Sequence, residues 1–226
     1  GLQTTDPLAV DAILQLGAIV AVYIYFGPEL WQMVKDFFQK KTKLVWAIVL
    51  GTIPALAIGL VVEKYIDLYL RTPQVVAVVL IIGAILFLLV EYFYKTGNKN
   101  LESIGAKEGL SIGIAQCLAF FPGFSRSGAT IMAARMNKLS REAAARFSFY
   151  LSIPVITLSG LKKLYDVLNV GLQKGIGLEL TIGTLAAFVV GILSIHFLLT
   201  FLKKHGLNLF AYYRIIIGIV VLLQFI

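Results

Sequence analysis

One stretch concentrates the polar chemistry of this chain. It runs Phe121-Pro122-Gly123-Phe124-Ser125-Arg126-Ser127-Gly128-Ala129-Thr130. A guanidinium presents five donors in a planar fork that matches a phosphate. Ser125, Ser127 and Thr130 add hydroxyl donors. Gly123 and Gly128 allow a tight turn and bring backbone N–H groups close to an anion. The run from Ala129 to Met136 reads as a helix whose positive dipole end faces the same spot. The chemistry this predicts is phosphate binding, with one hydroxyl available as a nucleophile.

The surroundings make the arginine conspicuous. Gly109–Phe121 and Ala129–Ala134 are apolar. An uncompensated arginine at membrane depth costs at least about 2.5–3.5 kcal/mol, so function explains Arg126 better than snorkelling at a helix end does. Other polar residues are candidates for the same site. Asp11 and Gln15 share a helix face at i, i+4 spacing; Asp11 is either an interfacial carboxylate or a partner that orients Arg126. Gln116 lies just before the tip and is placed to hydrogen-bond the loop. Arg214, inside another apolar run, either snorkels or offers a second phosphate contact. Glu91, near a helix end, is read as solvated. His196 is read as a packing or hydrogen-bonding residue. Cys117, the single cysteine, is read as an inert packed thiol, which excludes an internal disulfide and a multi-cysteine zinc site. No metal-binding motif is visible, so the metal ligands are unknown.

Composition fixes the class. Of 226 residues, 59% are hydrophobic and 14% charged, against about 25% charged in a soluble domain; mean hydropathy is +0.88. The chain is therefore read as all-α and polytopic in a membrane. The net charge of +8 sits in short clusters beside apolar runs, which is a membrane pattern and not a nucleic-acid one.

Six spanning helices are predicted, about Leu8–Val34, Leu44–Val62 (with Pro54), Gln74–Tyr94, Arg141–Leu164 (with Pro154), Leu178–Leu202 and Leu209–Ile226. Glu63–Arg71 reads as an interfacial segment, Lys95–Glu108 as a polar loop and Val167–Gly177 as a glycine-containing loop. The two apolar arms around the Gly/Pro/Ser tip are too short to cross and read as a re-entrant hairpin. Counting crossings places Lys35–Lys43, Lys95–Lys107, Arg135–Arg146 and Lys203–Lys204 on one face, which the positive-inside rule makes cytoplasmic, with both chain ends outside. Lys162, Lys163 and Lys174 fall on the other face. The last three helices repeat the order of the first three in inverted sense. The reading is one membrane domain over 1–226 built as an inverted repeat, the first about 1–95 and the second about 108–226. Only the second shows a hairpin, so the counterpart of that hairpin is expected upstream of Gly1.

The segment Ala115–Thr130 resembles the second signature of the bacterial undecaprenyl-diphosphate phosphatase (bacitracin-resistance) family. Leu14–Val22, Ile53–Gly59, Arg146–Pro154 and Phe210–Arg214 are similar to further family segments in the same order. The resemblance implies removal of the terminal phosphate of undecaprenyl diphosphate, which yields the lipid carrier for peptidoglycan synthesis. It also implies a Mg2+ or Ca2+ requirement, two re-entrant hairpins, and a site in the bacterial plasma membrane that opens outward. Arg126, Ser125, Ser127 and Thr130 are then the phosphate-binding half, with Gly123 and Gly128 as turn residues. The family's first signature, with its glutamates, serines and histidine, has no counterpart in this sequence. Metal ligands are expected there, and the chain alone is expected to lack half a site. The nucleophile stays open between Ser125, a side chain of that upstream segment, and water. The expected partners are a polyprenyl diphosphate lipid and the bilayer; the oligomeric state is open, a homodimer included. Two rival readings remain at this stage: a lipid-phosphate or anion transporter of the same architecture, and a non-catalytic homologue.

Overall fold

A computed structural model describes residues 7–95, 97–170 and 177–225, with side chains described outside 7–13, 60, 63–65, 67–69, 163, 166–170, 177 and 179. All regular structure among them is helical, apart from one isolated bridge between Lys99 and Leu139. The protein is an all-α, multi-pass membrane protein.

The first predicted helix is two. α1 (Pro7–Tyr25) stops and α2 (Gly27–Phe38) leaves at 65°. Pro28 explains the break: its ring clashes with the preceding turn and it has no N–H to donate, but it is well suited to a first helical turn. α2 buries none of its residues and exposes Trp31, Val34, Phe37 and Phe38 on one side. Its Glu29, Gln32 and Asp36 fall on the other, the pattern of a helix lying at a membrane surface.

α3 (Lys43–Tyr69) passes through Pro54 and continues into the segment read as interfacial. α4 (Pro73–Phe93) begins as the sequence suggests: Pro73 opens the helix and the Thr72 hydroxyl accepts from the Val75 N–H. The polar loop holds a short 3₁₀ turn (Leu101–Ser103) and leads into α5 (Ala106–Gln116), a second 3₁₀ turn (Cys117–Phe120), the tip, and α6 (Arg126–Met136). Both hairpin arms are helices of 11 residues, about 16 Å each at 1.5 Å per residue, too short to cross. Glu108 caps α5, accepting from the Gly105 N–H at 3.0 Å. Hydrogen bonds from its own N–H and from that of Gly105 hold its carboxyl below the usual carboxylate range.

α7 (Arg141–Val170), α8 (Gly177–Lys204) and α9 (Asn208–Leu223) complete the chain. α7 extends beyond its predicted end; most of the predicted Val167–Gly177 loop lies outside the described residues. Six full spans were expected. α4, Arg141–Lys162 and Leu180–Lys204 are long and apolar enough to cross, and the bent α1–α2 pair makes up to a fourth. Lys43–Gly59 and α9 are shorter apolar helices.

Two compact units form, each from separate stretches of chain. The first takes residues 1–38 and 152–198. In it α1 meets α8 through small residues: a methyl on Gly17 would strike the Thr184 carbonyl, and one on Gly191 the Ala21 side chain. Close backbone approach of this kind holds helices together where lipid offers no hydrophobic drive. Tyr23 pairs with Thr157 at 3.1 Å and Tyr25 with His196 Nδ1 at 3.2 Å, so His196 has the hydrogen-bonding role expected of it.

The second unit takes residues 39–151 and 199–226 and contains the hairpin. α5 lies against α3 by backbone contact. A methyl on Gly113 would overlap Gly51 O, and one on Gly109 would overlap Ala47 O. α6 is buried from Gly128 to Arg135. Its far end is tied down by Arg135, which is fully buried. That guanidinium donates to the carbonyls of Tyr94 (2.5 Å), Gly97 (3.2 Å), Lys95 (3.3 Å) and Leu139. Arg135, counted above as a surface charge, instead closes the C-terminal end of α4. Glu91 is also corrected. It is buried, not solvated, and Arg141 binds it through Nη2 at 2.6 Å and Nε at 3.1 Å. The last turn of a helix hides a carboxylate when a cation from another helix reaches it, and sequence spacing does not show that.

Candidate functional site

The site is the tip of the hairpin. Phe121-Pro122-Gly123-Phe124 turns the chain, with the Phe124 N–H donating to Phe121 O at 3.0 Å. Gly123 has φ +95°, where a side chain would be strained, and a Cβ there would also strike Val76 O. Ser125 follows with φ +80° and is not a glycine. Such a conformation costs about 1–3 kcal/mol and persists only when its surroundings impose it.

Ser125 is the N-cap of α6. Its Oγ accepts from the Gly128 N–H at 3.2 Å and lies 3.4 Å from Ser127 Oγ. Its carbonyl accepts the first helical bond, from the Ala129 N–H. The N–H groups of Ser125, Arg126 and Ser127 precede that bond and have no acceptor among the described residues. Open N–H groups at a helix N-terminus favour an anion. Arg126 is the first helical residue, so α6 starts three positions before the predicted Ala129. Its guanidinium is half-buried and makes no hydrogen bond or ion pair with any described residue. An arginine in an apolar hairpin with no partner among the described residues is suited to an anion.

The other predicted site residues take different places. Thr130 is fully buried; its hydroxyl reaches Arg126 O (3.0 Å), Ser127 O (3.1 Å) and Ser148 Oγ (2.6 Å). It braces the first turn of α6 from inside. Gly128 was expected to allow a tight turn and bring backbone N–H groups close to an anion. A methyl there would overlap the Phe87 ring, so glycine is needed for packing against α4. Gln116 is buried, and neither end of its amide finds a partner among the described residues. The expected bond to the loop is not made. Arg214 does reach the tip, where Nη2 donates to Gly123 O at 2.6 Å and Phe124 O at 2.8 Å. It holds the turn's carbonyls, and its place at the tip is not that of a snorkelling residue. Gln15 lies on α1 in the first unit. Asp11 lies on the same helix, with its side chain outside those described. Cys117 is part-buried, and its thiol donates to Gly113 O at 3.6 Å.

Sequence reasoning missed Ser148 and Phe87. The signal for Ser148 was available: Ser148 and Ser152 stand one turn apart in an apolar helix, and both are buried. Nothing in its neighbours marks Phe87 out from the other residues of α4. The described residues at the tip do not by themselves form a divalent-cation site. No group of three His, Cys, Asp or Glu gathers among the described residues, and the tip presents a guanidinium and backbone N–H groups, whose positive charge opposes a cation.

Comparison with known proteins identifies the family. The family described as bacitracin resistance protein BacA matches residues 2–220. A Corynebacterium efficiens relative is 40% identical, over 94% of this chain and 75% of the relative. A Chlorobium phaeobacteroides relative is 37% identical over 96% of this chain and 83% of its own length. One from Trichormus variabilis is 37% identical over 96% and 72%. Each of these relatives is named undecaprenyl-diphosphatase. A match across nearly the whole chain, on a fold that presents Arg126 at a helix N-terminus inside an apolar hairpin, places the chain in the bacitracin resistance protein BacA family.

Proposed function

We propose that this chain hydrolyses undecaprenyl diphosphate to undecaprenyl phosphate and inorganic phosphate, recycling the lipid carrier of cell-wall synthesis. The family's name ties this activity to bacitracin resistance. The observation that carries the reading is the Arg126 guanidinium beside the N–H groups of Ser125, Arg126 and Ser127, none of which has a partner among the described residues. They suit the non-bridging oxygens of a diphosphate. Phosphoryl transfer asks the protein mainly for positioning and charge stabilisation, and these groups supply both.

In the proposed reaction an oxygen nucleophile bonds to the terminal phosphorus as the bridging P–O bond breaks and the prenyl monophosphate leaves. We assign Ser125 and Ser127 to binding. The Ser125 Oγ accepts from Gly128 N–H, so its own proton is available to a phosphate oxygen, and neither hydroxyl is bonded to a base among the described residues. Water then attacks, and its proton passes to phosphate or solvent. Thr130, through Ser148, holds the turn on which the serines sit. The divalent-cation requirement, the outward opening of the site, and placement in a bacterial plasma membrane are parts of the proposal that rest on the resemblance.

The test is phosphate release from undecaprenyl diphosphate by the purified full-length protein in detergent, with Mg2+ and with EDTA. Arg126→Ala should abolish release. Arg126→Lys should lose about 100-fold or more, because an ammonium cannot form the bidentate fork. Near wild-type turnover in Arg126→Lys would remove the assigned role. The carrier reading, which the relatives' names do not favour, predicts no release in detergent and movement of lipid phosphate between two compartments.

A further inference from the structure

Arg214 carries a second, separable role. It sits on α9 and reaches across to the hairpin tip. Its guanidinium lies in a slot made for it. The Phe87 ring of α4 is 5.1 Å away, and a methyl on Gly83 would come within 2.9 Å of Nη2. One nitrogen, Nη2, holds both Gly123 O and Phe124 O. Nε is buried without a partner among the described residues. A half-buried arginine with one buried N–H unsatisfied is a poor device for stability alone.

The peptide geometry says what it does. In a trans peptide the carbonyl and the following N–H point in opposite directions. The carbonyl of Gly123 is paired with the N–H of Phe124, which donates back to Phe121 O. The carbonyl of Phe124 is paired with the N–H of Ser125, which has no acceptor among the described residues. Drawing both carbonyls to one side turns the Ser125 N–H away from Arg214, and Ser125 is the N-cap of α6, whose Arg126 and Ser127 N–H groups also have no acceptor among the described residues. The strained φ of +80° at Ser125 is the backbone expression of that turn. We propose that Arg214 is a positioning residue for the hairpin's anion site: it fixes the Gly123 and Phe124 carbonyls so that the Ser125 N–H faces the phosphate.

The inference rests on the hairpin being a diphosphate site, but not on hydrolysis. The test is therefore binding of farnesyl methylenediphosphonate, whose P–C–P link resists cleavage, to the full-length protein in detergent. Arg214→Ala should weaken binding about tenfold or more, the worth of charge-assisted hydrogen bonds, and added methylguanidinium should restore part of it. Gly83→Ala, whose methyl would press on Arg214 Nη2 at 2.9 Å and only make ordinary contact with Phe124 O at 3.4 Å, should weaken binding in the wild-type background and have much less effect in Arg214→Ala. That non-additivity separates positioning from general destabilisation. Binding by Arg214→Ala equal to wild type overturns the proposal, as do purely additive effects. Where Arg214→Ala does not fold, Gly83→Ala alone decides, and unchanged binding overturns the proposal. Absence of binding by the wild type would sink the diphosphate reading itself, and this inference with it.

Discussion

Ser125 is where the site's cost is stored. Its φ of +80° is unfavourable for any residue with a Cβ, yet its Oγ caps α6. These two facts pull a substitution in opposite directions. Ser125→Gly relieves the backbone and loses little capping energy, whereas Ser125→Ala keeps the strain and loses the cap, about 1 kcal/mol. Thermal unfolding in detergent should therefore rank Ser125→Gly at or above wild type and Ser125→Ala below it, while both bind diphosphate more weakly. Equal melting of the two variants would mean that the backbone at Ser125 is not strained. Residue types alone announced Arg126 and both serines, because few polar groups are tolerated in such a stretch. They did not distinguish Thr130, which faces inward, from Ser127. A hydroxyl's direction depends on where the helix begins, and that was placed three residues late.

At the scale of elements, the hairpin is held by backbone contact and not by large side chains. Gly113 and Gly51 touch along α5 and α3, with no room for a methyl. Gly113→Ala should cost roughly 1–3 kcal/mol, as overpacking does, and loosen the arm that carries the tip. Gly27→Ala, at the α1–α2 bend, meets nothing within 4 Å and should leave the melting temperature unchanged or raise it. A melting point for Gly113→Ala equal to that of Gly27→Ala would count against this packing. Pattern reading found the hairpin because its arms were short and its tip full of glycine, proline and serine. It passed over the bend at Gly27-Pro28 because the apolar run continues across it; hydropathy reports what an element is solvated by, not whether it is straight.

Across the whole molecule, separate segments are tied by buried charge. Glu91 on α4 receives Arg141 from α7, with Gly206 packed close by. Arg135 joins the end of α6 to the end of α4. Removing one member of a buried pair leaves the other uncompensated. Arg141 stays 34% exposed, so water moderates the loss, and Glu91→Ala should cost about 2 kcal/mol instead of the larger penalty of a fully buried pair. Chemical unfolding in detergent checks this; an unchanged midpoint would show the pair to be dispensable. The sequence by itself determined the membrane class, the all-α architecture, the re-entrant hairpin and its polar arginine-bearing tip, since each depends on local composition or on the expense of an arginine in an apolar run. Only the tertiary structure decided that Glu91 is buried, that Arg135 is a structural clamp, that Gly128 serves Phe87, and that Arg214 grips the tip. Those roles come mostly from contacts between residues 38 to 91 positions apart, for which neither periodicity nor spacing carries a signal.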